Sequence, residues 1–306
     1  MKDYDVVIVG AGLAGLTAAL TAARFGISVA VVDQMGTGGQ VLNVEKIENL
    51  PGFPEGIAGF DLGPMVQEQA EAAGAEFVLD TVEGLKLDGD FRLLRCSEED
   101  LRARAVIVAA GSSLRDLGIP GEERFIGHGV SHCASCDGPF YPGGTVCVVG
   151  GGDSAIEEAA VLAKHAARVL VFHNSDALNT QQALLDAAAA QPAVEFYMNT
   201  QVEEILGEDT VTAVRVRDLN GGATRDEEVA GVFVYVGLEP NTAFLQGVLD
   251  LDGAGHIVTD IMMRTSMAGV FAAGDIRAQS VSLLASVIGD GATAAVAAYR
   301  YLNAVD

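Results

Sequence analysis

The chain has 306 residues, half of them hydrophobic, with 37 glycines and a formal net charge of −24 at pH 7. This length is typical of two domains rather than of one compact core. The acidic balance argues against a nucleic acid partner, because phosphates bind to basic surfaces. No apolar run reaches the roughly 18 residues that cross a bilayer, and the chain opens directly into an apolar strand without a secretory leader. We therefore expect a cytoplasmic protein without a membrane segment.

The first predicted element is a short apolar strand over 6–9, which leads into the run GAGLAG at 10–15 and then into an alanine-rich helix. This order is the context that a dinucleotide-binding turn needs. The first glycine allows the tight turn, the second lets the backbone approach a pyrophosphate, and the third lets the helix pack on the strand. A second strand over 29–32 ends at Asp33, whose carboxylate is placed to accept hydrogen bonds from a ribose. The sequence therefore predicts a bound dinucleotide.

Cys133 and Cys136 are separated by two residues. A pair with this spacing can open and close a disulfide with little movement of the backbone, and beside a dinucleotide-binding unit it indicates a redox centre. The other two cysteines, Cys96 and Cys147, lie in strand-like stretches and are interpreted as packing residues. Their spacing is not paired, so the four cysteines do not predict a zinc site.

The strand–turn–helix pattern recurs with an apolar strand over 146–149, the run GGGDSA at 150–155 and a predicted helix to about Lys164. Alanine in the position of the third glycine still permits close packing of the helix on the strand. Two such units in one chain suggest two dinucleotides with electrons passing between them.

The second unit lacks the usual ribose or phosphate partners. The residue that corresponds to Asp33 is His173, and no Lys or Arg occurs from 169 to 214. A 2′-phosphate would therefore lack a charge partner in this stretch. Asp176 lies three residues beyond His173 and is interpreted as a helix cap rather than as a ribose ligand.

These features together resemble the low-molecular-weight bacterial thioredoxin reductases, over nearly the whole chain. The matching segments are the turn at 10–15, Gly38-Gly39-Gln40, residues 48–52, Ala109-Ala110-Gly111, the active-site run CASCDG at 133–138, the turn at 150–155, and the late motif GVFAAGD at 269–275. The resemblance implies an α/β fold of two Rossmann-like three-layer domains, the second inserted into the first. The FAD-binding domain would comprise 1–114 and 242–306, and the pyridine-nucleotide and redox domain 115–241.

The resemblance also implies a homodimer that uses FAD and NADH or NADPH to reduce a thioredoxin-like protein, with no metal. Cys136 would be the sulfur on the flavin side, Cys133 the sulfur that exchanges with the substrate, and Asp137 the proton donor or acceptor. An acid there suits thiol exchange, although Asp-Gly also favours a turn. The implied FAD-binding residues are Gly10, Gly12, Ala14, Gly15, Asp33, Gly39, Gln40, Asn49, Gly111, Gly274 and Asp275. The implied pyridine-nucleotide residues are Gly150, Gly152, Asp153, Ser154 and Ala155.

The chain departs from the family pattern at three places. Asn174, Ser175 and Asn179 replace the arginines of the phosphate clamp, which leaves open whether the donor is NADH or NADPH. Ser282-Leu283 replaces an Arg-Gln pair that contacts the flavin and the domain seam in the family. His132 precedes the first cysteine, where a cationic imidazole lowers a thiol pKa unless it points away.

A final helix is predicted over 292–302.

Three other functions compete with this interpretation. A reductase of the same fold with another donor, such as ferredoxin or a reduced flavin, is favoured by the missing arginines and opposed by the retained turn at 150–155. An FAD-dependent dithiol oxidase is opposed by Asp137, because such relatives usually change the residue after the second cysteine. A non-catalytic nucleotide sensor or scaffold has no need for Cys133, Cys136 and Asp137 together.

Overall fold

The computed structural model describes residues 2–304. The chain divides into two compact units, one formed by Met1–Ser113 with Glu239–Asp306 and the other by Leu114–Leu238. Both contain parallel β-sheets and helices, so the predicted α/β class is confirmed.

The helices of the described residues are α1 (Leu13–Arg24), α2 (Gly59–Ala72), α3 (Glu122–Phe125), α4 (Ala134–Asp137), α5 (Asp153–Leu162), α6 (Gln182–Ala189) and α7 (Leu284–Leu302). The strands are β1 (Lys2–Val9), β2 (Val29–Asp33), β3 (Glu76–Leu79), β4 (Val82–Asp88), β5 (Phe91–Cys96), β6 (Leu101–Val108), β7 (Ser112–Leu114), β8 (Val130–Ser131), β9 (Thr145–Val149), β10 (Arg168–Phe172), β11 (Val194–Tyr197), β12 (Thr200–Gly207), β13 (Val211–Asp218), β14 (Thr224–Glu228), β15 (Gly231–Val234), β16 (Leu238–Pro240) and β17 (Val270–Ala272). Short 3-10 turns occupy Gly39–Asn43, Gly138–Phe140, Ala243–Leu245 and Gly274–Ile276.

The first unit is built on a seven-stranded sheet with the order β3-β2-β1-β6-β5-β4, and β17 pairs with the end of β6. Strands β1, β2, β3, β6 and β17 all run in the same direction. Strand β5 pairs antiparallel with both β6 and β4. Residues 6–9 of β1 are buried on both faces, as expected for a parallel strand covered by other layers. The parallel strands therefore all end at one edge of the sheet, where the first glycine-rich turn lies.

The second unit repeats this design with a five-stranded parallel sheet in the order β11-β10-β9-β15-β8. A separate antiparallel sheet in the order β12-β13-β14 completes the unit. The central strands β9, β10 and β15 are almost completely buried. The second glycine-rich turn follows the carboxyl end of β9 and leads into α5.

Small residues let helices α1 and α7 approach closely. A Cβ built on Gly291 of α7 would lie 2.2 Å from the carbonyl oxygen of Ala14 in α1, so only glycine fits there. Helix α7 begins at Leu284, and the predicted start at 292 is therefore wrong by two turns. Close packing against Ala14 of α1 requires glycine at position 291, and the helix continues through this residue.

None of the helices in residues 2–304 combines the length and the apolar character that crossing a membrane demands.

Candidate active site and nucleotide-binding turns

The first glycine-rich turn has the geometry that its sequence predicts. Gly10 adopts φ +106°, and a Cβ built there would lie 2.3 Å from the carbonyl oxygen of Ala109. A Cβ on Gly15 would lie 1.9 Å from the carbonyl oxygen of Gly10. Any larger residue at either position would separate the turn from β6 or from α1.

Open space lies in front of the second glycine. A Cβ built on Gly12 meets no atom within 4 Å, and Gly12 caps α1 without a side-chain hydrogen bond. The first turn of α1 contains no acidic residue. Free N–H groups at a helix N-terminus with room in front of them are suited to a phosphate group.

Asp33 shapes this turn as well as closing β2. Its carboxylate accepts hydrogen bonds from the backbone N–H groups of Ala11, Met35 and Gly36 at 2.8, 2.8 and 2.9 Å. Because an ionised carboxylate has about four lone-pair sites, these bonds leave it capacity for a ribose hydroxyl.

The segment after β2 returns to the turn. The N–H of Gly38 donates to the carbonyl oxygen of Ala11 at 2.8 Å, and a Cβ on Gly39 would lie 3.2 Å from the Cα of Gly12. Gln40 donates through Nε2 to the carbonyl oxygen of Ser112 at 3.1 Å. The predicted residues Gly39 and Gln40 therefore lie beside the turn and beside the chain that follows β6.

Two other predicted FAD residues have different environments. Gly111 adopts φ +61°, and its carbonyl oxygen accepts a hydrogen bond from the N–H of Asn241 at 3.1 Å. Asn49 is exposed, and no hydrogen bond among the described residues joins it to the turn.

The late motif packs directly on α1. Gly274 adopts φ +79°, and a Cβ there would lie 3.0 Å from the Cβ of Ala14. Asp275, which follows, accepts a hydrogen bond at Oδ1 from the hydroxyl of Ser280 at 2.8 Å. Its carbonyl oxygen accepts one from the hydroxyl of Ser112 at 3.2 Å. The late motif, the first turn and the Gln40 segment are thus joined in one unit.

A buried ion pair that the sequence analysis missed supports this motif. Asp290 of α7 is 6 % exposed and binds Arg277 through Nε–Oδ2 and Nη2–Oδ1 contacts of 2.5 and 3.0 Å. Its Oδ2 also accepts the N–H of Gly274 at 3.2 Å. The only sequence signal for this role was an aspartate between two glycines, a pattern equally typical of a turn.

These residues fit FAD. The open space at Gly12 and the uncapped N-terminus of α1 suit a pyrophosphate, and Asp33 suits a ribose hydroxyl. Asp275 presents a second carboxylate close to the same turn through the contact of Gly274 with Ala14.

In the second unit, Cys133 and Cys136 form a disulfide with a Cα–Cα distance of 5.3 Å. Helix α4 is a single turn that begins directly after Cys133, and the N–H of Cys136 donates to Cys133 Sγ at 3.2 Å. Cys133 is half-buried and Cys136 is exposed. The pair is therefore accessible to a reaction partner from the surface of its own unit.

The residues before Cys133 are fixed by hydrogen bonds. Its N–H donates to the hydroxyl of Ser131 at 3.0 Å. His132 places Nδ1 3.1 Å from the carbonyl oxygen of Val234 and Nε2 3.7 Å from Asp116 Oδ1. Both ring nitrogens of His132 thus face oxygen partners rather than a sulfur, which favours a structural role.

Asp137 ends α4, and its N–H donates to the carbonyl oxygen of Cys133 at 3.1 Å. Its side chain is half-buried. Burial, together with the nearby Asp137 carboxylate, raises the pKa of Tyr141. Asp137 therefore places a negative charge beside the short segment that carries the disulfide.

The other two cysteines are free. Cys147 lies inside β9 and is fully buried, and burial raises the pKa of its thiol. Cys96 is half-buried, and burial together with the carboxylates of Asp80 and Asp100 raises its pKa to about 11. Neither thiol has the low pKa of a reactive cysteine.

The second glycine-rich turn has the same kind of backbone geometry as the first. Gly150 adopts φ +146°, and a Cβ there would lie 2.2 Å from the carbonyl oxygen of Tyr235 and 3.0 Å from the Cβ of Ala155. Gly152 caps α5 without a side-chain hydrogen bond. Ser154 is exposed and Ala155 is buried.

The segment after β10 folds back over this second turn. A Cβ on Gly151 would lie 2.4 Å from Nδ1 of His173, so the imidazole rests on that glycine. The N–H of Asn179 donates to the carbonyl oxygen of Gly151 at 2.9 Å. Helix α6 begins only at Gln182, so the interpretation of Asp176 as a helix cap is wrong.

Asp153 holds this segment in place. Its carboxylate accepts the backbone N–H and the side-chain Nε2 of Gln181 at 2.8 and 2.6 Å. Burial by itself would raise the pKa of Asp153, but the hydrogen bonds from Gln181 outweigh it and keep the pKa below its usual value. An anionic side chain in the first turn of α5 contrasts with α1, whose first turn has none.

Two glycine-rich turns at the ends of parallel strands and an accessible disulfide define a dinucleotide-dependent disulfide oxidoreductase. The model of the family described as pyridine nucleotide-disulphide oxidoreductase matches residues 4–299. The chain belongs to this family, and it is an FAD flavoprotein.

The chain is similar along its full length to proteins named thioredoxin reductase. It is 40 % identical to the one of Treponema pallidum over 302 residues, covering 98 % of each chain, and 41 % identical to the one of Streptomyces clavuligerus, covering 100 % of this chain and 96 % of the other. The solved structure of the Lactococcus lactis thioredoxin reductase superposes with a TM-score of 0.96 at 36 % identity and covers 99 % of this chain and 100 % of its own. The resemblance drawn from the sequence motifs is confirmed, as are two Rossmann-type domains.

Proposed function

We propose that this protein reduces the disulfide of a thioredoxin-like protein, with electrons from NADH or NADPH that pass through FAD to the Cys133–Cys136 pair. The observation that carries the proposal is an accessible disulfide in the same unit as the second glycine-rich turn. Similarity to thioredoxin reductases over the full chain supports it.

Each nucleotide is assigned to one unit. We assign FAD to a domain of 1–114 and 242–306, and the pyridine nucleotide to a domain of 115–241 that also carries the cysteines. The presence of one glycine-rich turn in each compact unit supports this assignment.

Gly10, Gly12, Gly15, Asp33 and Asp275 would hold FAD together with the residues packed around them. When bound, FAD supplies a two-electron carrier between the pyridine nucleotide and the disulfide. The backbone N–H groups at the start of α1 would bind its pyrophosphate, while Asp33 and Asp275 would accept hydrogen bonds from its sugar and ribitol hydroxyls.

The three catalytic residues have separate tasks. Cys136 would be the sulfur that faces the flavin, and Cys133 the sulfur that forms the mixed disulfide with the substrate. Exchange releases one thiolate and consumes another, so a proton must move at each step. Asp137, at the end of the same helical turn, would carry that proton.

A protein substrate suits the surface around the disulfide. Phe140 lies four residues beyond Cys136 and is 77 % exposed. An exposed aromatic side chain beside a reactive pair offers apolar contact to a macromolecule, and a small dithiol has no need of it. This supports a thioredoxin-like substrate over the small-molecule dithiol of an oxidase.

The second turn favours NADH over NADPH. No Lys or Arg occurs between Arg168 and Arg215, so a 2′-phosphate dianion would find no cation in the segment that covers the turn. The same observation supports the alternative of a donor such as ferredoxin or a reduced flavin. The intact backbone geometry at Gly150 and Gly152 supports the nucleotide.

We also propose a cytoplasmic homodimer. The resemblance to bacterial thioredoxin reductases supports both properties. Light scattering coupled to size-exclusion chromatography would test the dimer, and a mass equal to that of one chain would exclude it.

Anaerobic mixing of the FAD-loaded protein with NADH, and separately with NADPH, tests the proposal. We expect NADH to bleach the flavin absorbance rapidly, and oxidised thioredoxin to restore it. If neither nucleotide bleaches the flavin while dithionite does, and thioredoxin is then reduced, another donor operates. Bleaching by a small dithiol with rapid recovery in air would instead identify an oxidase.

A further inference from the structure

Tyr235 is a buried residue that directly contacts the redox segment. It follows strand β15 and is 7 % exposed. Its phenol oxygen accepts a hydrogen bond from the N–H of Ala134 with an N–O distance of 3.1 Å. Ala134 is fully buried and lies between Cys133 and Cys136. In this setting the N–H of Ala134 has no access to water as an alternative partner.

The backbone of Tyr235 is fixed independently of its side chain. Its N–H donates to the carbonyl oxygen of Val149 at 2.8 Å. A Cβ built on Gly150 would lie 2.2 Å from the carbonyl oxygen of Tyr235, so the two backbones are in close contact. The residue is thus held by the end of β9 and by the second glycine-rich turn, and from there its side chain reaches the disulfide segment.

The hydroxyl keeps its own proton over the whole physiological range. Burial raises the pKa of Tyr235 strongly, and the carboxylates of Glu158 and Asp137 raise it further against the opposing effect of the Ala134 N–H. The contact therefore joins a neutral phenol to a neutral amide, and its strength does not depend on pH near neutrality.

We propose that Tyr235 is a positioning residue for the redox pair: its hydroxyl fixes Ala134 and thereby the helical turn in which the N–H of Cys136 meets Cys133 Sγ. Reduction adds two electrons and two protons to the S–S bond and yields two thiols, so the covalent restraint on this turn disappears. The contact of Tyr235 with Ala134 does not depend on that bond and holds the turn in both redox states.

The hydroxyl of Tyr235 should stabilise the oxidised form of the pair more than the reduced form. In Tyr235→Phe the N–H of Ala134 loses its acceptor. The disulfide prevents the oxidised turn from rearranging to find another partner, whereas the dithiol form is free to do so. The variant therefore destabilises the oxidised form more than the reduced form, and the pair becomes easier to reduce. A tyrosine that served stability alone would destabilise both forms equally and leave the potential unchanged.

The test is the midpoint potential of the pair, measured in dithiothreitol redox buffers by alkylation of Cys133 and Cys136. For Tyr235→Phe we expect the dithiol–disulfide equilibrium to move roughly tenfold toward the dithiol, a shift of about 30 mV to less negative potential. Tyr197→Phe is the matched control, because Tyr197 lies in the same unit and its hydroxyl donates to Glu195 at 2.8 Å. An unchanged potential in Tyr235→Phe, or an equal shift in the control, would overturn the proposal.

A second measurement needs no variant. In the oxidised wild-type protein the N–H of Ala134 should exchange with deuterium slowly, and exchange as fast as that of exposed amides would contradict the contact. The inference depends on the proposed role of the Cys133–Cys136 pair. Redox buffers titrate that pair without a nucleotide or thioredoxin, so failure of the proposed function and failure of this inference give different results.

Discussion

Asp290 and Arg277 form a buried ion pair with Nε–Oδ2 and Nη2–Oδ1 distances of 2.5 and 3.0 Å, and the same carboxylate accepts the N–H of Gly274. Helix α7 thereby holds the loop that carries Asp275. Because Gly274 also packs on Ala14 of α1, the pair keeps the late motif against the first glycine-rich turn.

Asp290→Asn should weaken both the fold and the FAD site. Removal of one partner leaves a buried guanidinium uncompensated, which costs about 3–5 kcal/mol of unfolding free energy. Chemical denaturation would measure the loss, and equilibrium titration with FAD would measure the affinity. Asp226→Asn is the control, because its pair with Arg215 is exposed and is worth below about 1 kcal/mol. Equal stability of the Asp290→Asn and Asp226→Asn variants would show that the buried pair has no special role.

Arginines placed in the segment over the second turn should create a preference for NADPH. Charge-assisted hydrogen bonds contribute about 1.5–3 kcal/mol each, so Asn174→Arg with Ser175→Arg should raise the ratio of kcat/KM for NADPH over NADH at least about tenfold. Gln191→Arg adds one positive charge after α6 and should leave the ratio unchanged. A ratio that does not respond to the paired arginines would mean that the nucleotide does not bind at this turn.

Asp137→Asn should slow thiol exchange without affecting the reduction of the flavin by the donor. Loss of a positioned general acid or base costs roughly 10²-fold or more in rate. We expect thioredoxin reduction to fall by this factor while flavin bleaching by the donor is unchanged. Asp209→Asn, at an exposed position of the same unit, should retain full turnover. Full turnover in Asp137→Asn would assign the aspartate to the turn alone.

Cysteine labelling should separate the pair from the other two thiols. In the oxidised protein at pH 7 we expect almost no reaction with iodoacetamide, and after reduction Cys133 and Cys136 should react. Burial raises the pKa of Cys96 to about 11, so its thiolate fraction and labelling rate should rise about tenfold per pH unit up to that value. Cys147 should react only on unfolding. Rapid labelling of Cys96 at pH 7 would contradict the half-buried environment and the raised pKa of this thiol.

Local patterns in the sequence were sufficient for the parts of the site whose geometry is set by neighbouring residues. Gly10 and Gly150 need positive φ and the absence of a Cβ, and the order of strand, turn and helix reveals both. The spacing of Cys133 and Cys136 likewise reveals a pair that a single helical turn brings together.

Contacts between distant segments were not predictable in this way. Asp290 meets Arg277 and Gly274 only because α7 packs on α1, and Tyr235 meets Ala134 only because β15 lies beside β8 in the sheet. The start of α7 was misplaced at 292, after Gly289 and Gly291, whereas packing against Ala14 requires glycine at position 291 inside a continuous helix. Asp153 was predicted as a nucleotide ligand, and its bonds to Gln181 depend on a loop whose path the sequence does not specify.

Electron delivery to the sulfur pair is tested most directly by differential alkylation after anaerobic mixing with the donor. The FAD-loaded protein is mixed with an excess of NADH, because reduction of both the flavin and the disulfide takes four electrons. It is then quenched with one alkylating reagent, unfolded and treated with a second reagent, and the two labels are assigned by mass spectrometry. The account predicts that Cys133 and Cys136 both change from disulfide to the first label as the flavin bleaches, while Cys147 takes only the second. A flavin that bleaches while the Cys133–Cys136 disulfide stays intact would contradict it.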